Sequence, residues 1–308
     1  MFAFSVVLAF AVGLAMAAQT PTNAGLGAIV GSVQGSLVNF AVGFVCCVIA
    51  MLVAGTGDLS LALQAPAWQW MGGVYGAFVI FGLVVATPHL GVALMLTIMM
   101  LGQLCGGMVV DGFGLVGVAA IPITLLRIVG CALVLAGILF VHAGRERTAG
   151  NPGADGSGAG GTYPYMLLGL ACGIAGAFQP PTNAALAASV GGTLEASVVS
   201  FGGGLVILLV ATLALNKGRL ASFKGARPWQ FTGGIYGAFG VIGATAGTPV
   251  LGVSLWLAGT MLGQLVGGMA VDALGLFRVA RERVTTMRAV GAAVLLVGIV
   301  CVTAAKLM

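Results

Sequence analysis

A chain of 308 residues that is 60% hydrophobic and only 6% charged has too few charged side chains to cover a water-facing surface, which excludes a soluble globule. The strict apolar–polar alternation of a membrane barrel is absent, leaving an all-α integral membrane protein. The formal charge of +5 sits mainly in a few loops, where basic residues set topology, so no nucleic-acid partner is expected.

At ~20 apolar residues per crossing, the chain reads as ten transmembrane helices. The first five spans are Phe4–Val30, Val33–Ala54, Gln69–Ala86, Val92–Val110 and Thr124–Val141. The stretch ending AMAAQT imitates a signal-peptide cleavage site. It lacks a basic lead, and the same helix recurs internally from Tyr163, so it is read as a retained span. After a Gly-, Ala- and Ser-rich connector come Tyr165–Val190, Ala196–Leu215, Gln230–Ala246, Val253–Val271 and Met287–Ala304. The domain reading is residues 1–142 as a first five-helix repeat, 143–162 as a cytoplasmic linker and 163–308 as a second repeat.

The two units match with a shift of 160 to 161 residues. QTPTN at Gln19 returns as QPPTN at Gln179, WQWMGGVYGAF at Trp68 as WQFTGGIYGAF at Trp229, and TPHLGV at Thr87 as TPVLGV at Thr248. LGQLCGGMVVDGFGL at Leu101 returns as LGQLVGGMAVDALGL at Leu262. An odd number of spans per unit turns the second unit over. Charge supports this: the loop from Gly57 has no basic residue where its counterpart GRLASFKGARP has three. The expectation is an inverted-topology pair with both termini external or periplasmic.

These doubled motifs resemble the YdcZ-type proteins of the drug/metabolite transporter (DMT) superfamily, with two five-helix units fused in one chain. The resemblance covers nearly all of both halves outside the linker. It implies a DMT/EamA-like fold of inverted repeats, a bacterial-type inner (plasma) membrane location and transport of a small-molecule substrate between the halves. The small multidrug members of that superfamily carry a proton-coupling glutamate in the first helix, where this chain has only Gln19 and Gln179.

Polar side chains within apolar spans need partners or a cavity. Gln19, Thr22 and Asn23 share one helical face, as do Gln179, Thr182 and Asn183. Pro21, Pro180 and Pro181 are read as helix breaks at matching positions of inverted halves, which points to a substrate site near the midplane; the competing reading is a packing kink. Gln103 and Gln264 are further substrate-binding candidates, each within a small-xxx-small frame that suits helix contact equally. Tyr75 and Tyr236 can wall a site or simply pack. Trp68, Trp70 and Trp229 read as interfacial anchors, and Trp256 as a residue that would break the symmetry of a cavity. Asp111 and Asp272, at equivalent helix ends, are candidates for ion coupling or for capping and ion pairing. Arg127 and Arg288 read as interfacial snorkels. Glycines 130/137 and 291/298 form stripes that suit a helix–helix contact, and the resemblance implies that the halves could meet there.

The six cysteines lie in apolar runs without paired spacing, so neither disulfide nor metal is expected, and no cofactor. The string GTGD at Gly55 lacks the second membrane aspartate an intramembrane protease requires, and His89 and His142 are unrepeated, so no enzyme is expected. A non-transporting receptor or assembly subunit would need larger soluble parts. The favoured reading is a secondary carrier, functional as a single chain in the lipid bilayer. The core of each half offers no charged residue except at the rims, which suits a neutral, zwitterionic or weakly cationic solute.

Overall fold

The computed structural model describes residues 1–55, 59–90, 92–149, 163–215, 220–278 and 285–307. Among these the regular structure is α-helical with short 3-10 turns and no strand. The helices are α1 (Phe2–Val30), α2 (Ser32–Ala54), α3 (Met71–Leu90), α4 (Val92–Phe113), α5 (Leu125–Ala149), α6 (Tyr163–Val190), α7 (Thr193–Leu215), α8 (Gly233–Leu251), α9 (Val253–Leu274) and α10 (Thr286–Leu307). Eight helical segments are long and apolar enough to cross a membrane, and α5 contributes a shorter apolar run, Leu125–Val141. Helices suit that setting because each satisfies its own backbone hydrogen bonds. Gly31 and Gly191, equivalent positions with φ of 81° each, turn the chain between α1 and α2 and between α6 and α7.

Three boundaries differ from the sequence expectation. Ala143 to Ala149 of the expected linker continue α5, and residues 150–162 lie outside the described residues. Both T-P segments lie inside the ends of α3 and α8, with Pro249 embedded in α8. α7 begins at Thr193, taking Glu195 into its first turn.

The helices pair across the repeat. α1 lies parallel to α9, with Ala9 at Gly259, Gly13 at Gly263 and Ala17 at Gly267. The equivalent pair, α6 and α4, does the same through Gly173 at Gly102 and Ala177 at Gly106. A Cβ at Gly13 would stand 2.8 Å from the Gly263 Cα, and one at Gly173 would stand 2.8 Å from the Gly102 Cα. Close backbone approach is the main source of helix attraction where lipid removes the hydrophobic drive. α1 also runs antiparallel along α8, and α6 along α3. Each repeat therefore lodges its first helix among helices of the other, and sequence repeat and packing unit differ.

α5 and α10 form the most extensive pairing. They run antiparallel, and the glycine stripes meet there: Gly130 faces Gly298 and Gly137 faces Gly291. A Cβ at any of the four would come within 2.6 to 2.9 Å of a carbonyl oxygen opposite. The largest buried cluster joins α1, α4, α5, α9 and α10 with residues of α6 and α8, and includes Val110, Leu251, Trp256 and Leu295. Trp256 belongs to this core, its indole fitted against Gly243 and Gly247, and does not wall a cavity. Large apolar side chains such as Val53, Leu139 and Val210 stand exposed on outward faces, the surface a bilayer covers.

Candidate functional site

The Q-x-P-T-N segments do not interrupt their helices. α1 is helical through Pro21, and α6 through Pro180 and Pro181, which corrects the expectation of helix breaks. A proline removes one N–H and so deprives one carbonyl of its intrahelical donor. In α1 the hydroxyl of Thr22 turns back to donate to the carbonyls of Gln19 (2.7 Å) and Ala18 (3.2 Å), next to the Ala17 carbonyl that Pro21 leaves without its donor.

The amide faces of the two segments address different helices. Asn23 lies against Gly233 of α8, and its Oδ1 accepts from Asn39 Nδ2 at 2.6 Å. One turn earlier, Gln19 Nε2 and Asn39 Oδ1 lie against Gly237. In the other half Asn183 lies against Gly72 of α3, near the Ser200 hydroxyl that replaces Asn39, and Gln179 Nε2 lies against Gly76 beside the Phe40 ring. The GGVYG and GGIYG glycines thus make room for amides of the opposing repeat. Asn183 Oδ1 is buried without a hydrogen-bond partner, whereas Asn23 Oδ1 is paired. Between the two amide clusters stand Phe40 and Phe201, edge to face at 5.3 Å.

One cavity of about 420 Å³ lies beside the second cluster. It is lined by Trp68, Tyr75, Phe178, Thr182 and the turn residues Leu115, Val116 and Gly117. Tyr75 and Phe178 tilt together at 6.1 Å. Of the residues proposed from sequence, Tyr75 and Thr182 line this space. Trp68, expected only to anchor at an interface, forms part of its wall. The counterpart region around Trp229 and Tyr236 is furnished differently. Ala18 replaces Phe178, and Phe277 replaces Val116 and packs on Trp229 at 5.9 Å. Val116 and Phe277 share a left-handed backbone, with φ of 59° and 54°, the two positive φ values among described non-glycine residues.

Gln103 and Gln264 sit where α4 and α9 meet α6 and α1. Gln103 lies against Gly176, and Gln264 Nε2 donates to the Met16 thioether at 3.5 Å, a weak acceptor. Both are half-buried, as are Tyr75 and Tyr236.

Asp111 and Asp272 are buried in ion pairs with Arg127 and Arg288. The arginines are 2% and 3% exposed, so they are not snorkels, and Asp272 pairs with Arg288. Asp111 also accepts from the backbone N–H of Val253 (2.6 Å) and Ser254 (2.8 Å), capping the start of α9. A carboxylate at a helix N-terminus meets unsatisfied donors and the positive end of the dipole. Arg127 donates onward to the Ile121 carbonyl and the Ser254 hydroxyl. The network ties the α4–α5 connection of one repeat to α9 of the other.

Among the described residues no group of three His, Cys, Asp or Glu converges. His89 is stacked on Tyr165 at 3.8 Å. Asp58 lies outside the described residues.

The family described as "Putative inner membrane exporter, YdcZ" matches residues 4–140 and again residues 164–301. The chain belongs to the YdcZ family. It carries two family units, so it is a multi-pass inner membrane protein of a transporter class, not of an enzyme class. Of the curated proteins none matches. A crystal structure, titled only "Crystal structure of protein", is similar in fold, with 16% identity, a TM-score of 0.72, and coverage of 99% of this chain and 98% of that one.

Several residues of this YdcZ double unit escaped the sequence reading. Asn39, Phe40 and Phe201 sit inside apolar spans and become notable only through what they face. Glu195, 1% exposed, departs from the expectation that the core of each half lacks a charged residue. It fell one residue before the expected span Ala196–Leu215 and so read as loop. The signal available was its counterpart, Gln34, also polar and at a span start.

Proposed function

We propose that the chain is a secondary carrier that moves a small neutral, zwitterionic or weakly cationic solute by alternating access, through a site between the two repeats near the bilayer midplane. The observation that carries this reading is the unequal furnishing of two equivalent places. Where Val116 and Gly117 leave a cavity of about 420 Å³, the counterpart turn places Phe277 on Trp229. Two matching mouths, one open and one filled, are what a carrier resting in one of two states presents.

Inversion is supported by helix direction as well as loop charge. α5 and α10 are sequence equivalents running antiparallel, and so are α2 and α7, where Phe40 meets Gly204 and Phe201 meets Gly43. Removing the paired Arg127 and Arg288 from the charge comparison leaves the positive-inside bias intact. With ten spans, both termini are external or periplasmic. The lining offers three aromatic rings and the Thr182 and Tyr75 hydroxyls without a charged side chain. This suits an apolar or cationic body better than an anion.

Accessibility tests the reading without knowledge of the solute. With native cysteines replaced, Tyr75→Cys should react with an impermeant maleimide from the periplasmic side, and Val116→Phe should slow that reaction about tenfold. Phe is tolerated at this backbone angle, because Phe277 already adopts it. Labelling only from the cytoplasmic side would refute the topology, and labelling indifferent to Val116→Phe would refute the gate. A thermal-shift screen of metabolites and quaternary amines identifies the solute. Uptake into vesicles should then fail in Gln19→Ala and Gln179→Ala.

A further inference from the structure

The connection between α7 and α8 differs from its counterpart in charge, in shape and in what holds it. No Asp or Glu occurs between Glu195 and Asp272, whereas this connection carries Lys224 and Arg227. The residues at the equivalent positions, 161 earlier, are Leu63 and Pro66. Lys224 and Arg227 are both exposed, and among the described residues neither pairs with a carboxylate.

Local backbone chemistry fixes where the two cations stand. Phe223 to Ala226 form a tight turn, closed by the Ala226 N–H donating to the Phe223 carbonyl at 2.9 Å. Gly225 takes the third position with φ of 91°, a value that favours glycine there. Lys224 stands at the tip, its N–H donating to the Ser222 hydroxyl at 3.2 Å. Arg227 follows, its own N–H donating to Gln230 Oε1 at 2.7 Å. Ahead of the turn, the buried Gln34 of α2 grips Ala221 at two points. Its Nε2 donates to the Ala221 carbonyl at 2.9 Å, and its Oε1 accepts from the Ala221 N–H at 2.8 Å. One backbone residue thus satisfies both ends of a buried carboxamide, which anchors the connection against the start of α2. In the other half Glu195 stands in place of Gln34 and lies against Gly192 of its own chain turn.

Apolar groups flank the cations. Phe223 is 43% exposed and tilts on Phe231 at 5.8 Å, and Leu220 is exposed beside it. The counterpart of Phe223 is Ala62, which is buried. Water disfavours an exposed ring, whereas the headgroup region of a bilayer accommodates a ring below and cations above.

We propose that the α7–α8 connection is a docking surface for an anionic phospholipid, with Lys224 and Arg227 on the headgroup phosphate and Phe223 and Leu220 at the start of the acyl chains. Two observations select this occupant: the cations have no carboxylate of their own to meet, and the adjoining face of α7, with Val210 and Leu215 exposed, is one that lipid already covers. The counterpart connection, with Leu63 and Pro66, has no cation to offer at these positions. The surface requires neither a solute nor a transport cycle, so it stands or falls apart from the carrier reading.

Titration of the full chain in detergent with phosphatidylglycerol or phosphatidylcholine of the same acyl chains, read by native mass spectrometry, tests it. Phosphatidylglycerol should bind about twenty-fivefold more tightly, each basic residue near an anionic headgroup contributing about fivefold. Lys224→Gln/Arg227→Gln, at exposed positions outside the core, should bring phosphatidylglycerol down to the level of phosphatidylcholine. Phe223→Ala should weaken both lipids alike, because its ring meets the acyl chains and not the headgroup. Excess inorganic phosphate should leave the lipid in place. Equal affinity for the two lipids overturns the proposal, as does a preference that survives the double substitution. Displacement by phosphate would mark a site for the free ion, and binding of poly-glutamate in place of phosphatidylglycerol would mark a surface for an acidic protein; either result overturns the lipid assignment.

Discussion

The two halves share one backbone plan and differ in what they place at matching points. Around Trp68 the chain sets Phe178, Val116 and Gly117 and leaves a cavity; around Trp229 it sets Ala18 and Phe277, whose ring packs on Trp229. Behind each place, Asn23 is satisfied by Asn39, while Asn183 Oδ1 faces Ser200 without a partner. Symmetry therefore belongs to the scaffold, whose glycines must match for the helices to approach. Asymmetry belongs to side chains at the two mouths, where volume and hydrogen-bonding capacity can change without disturbing the scaffold.

Substitutions separate scaffold from mouth by size of effect. The largest loss is expected from Asp111→Asn, which leaves Arg127 buried without its counter-charge and uncaps α9. About 3–5 kcal/mol of destabilisation follows, read as a collapse of monodisperse protein in detergent. A partial return in Asp111→Asn/Arg127→Met would confirm that the stranded charge is the cause. Next comes Gly137→Leu, which forces α5 off Gly291 and should cost about 1–3 kcal/mol; an unchanged melting temperature would disprove the close contact.

The comparison itself is sharpened by the asparagines. Asn23→Ala strands the Asn39 amide and should cost about 1–3 kcal/mol, whereas Asn183→Ala removes a group already lacking a partner at Oδ1 and should cost under about 1 kcal/mol. Equal melting shifts would abolish the distinction between the two halves. The smallest effect is expected from Gln264→Leu, within about 0.5 kcal/mol by thermal melt, because the Met16 sulfur is a poor acceptor.

Much of this was legible from residues alone. Each expected apolar segment falls on a helix, with α5 running on eight residues past its expected end, because span length and helix-breaking glycines are local properties. The glycine stripes at 130/137 and 291/298 foretold the α5–α10 contact. The prolines misled: a missing N–H need not open a helix when flanking helices confine the chain. Glu195 was missed because one turn of helix decided whether it counted as loop or interior.

By itself the sequence determined that this is a membrane protein built of two homologous units, since hydropathy, repeat and loop charge are written along the chain. Only the tertiary structure decided that each repeat buries its first helix in the other. The same packing turned Arg127 and Arg288 from apparent interface residues into buried ion-pair partners, and made one mouth hold a cavity while the other holds a phenylalanine. Those outcomes depend on which faces meet across about 160 residues of chain, and which side chain stands at a given meeting point is not set by the local pattern of either helix.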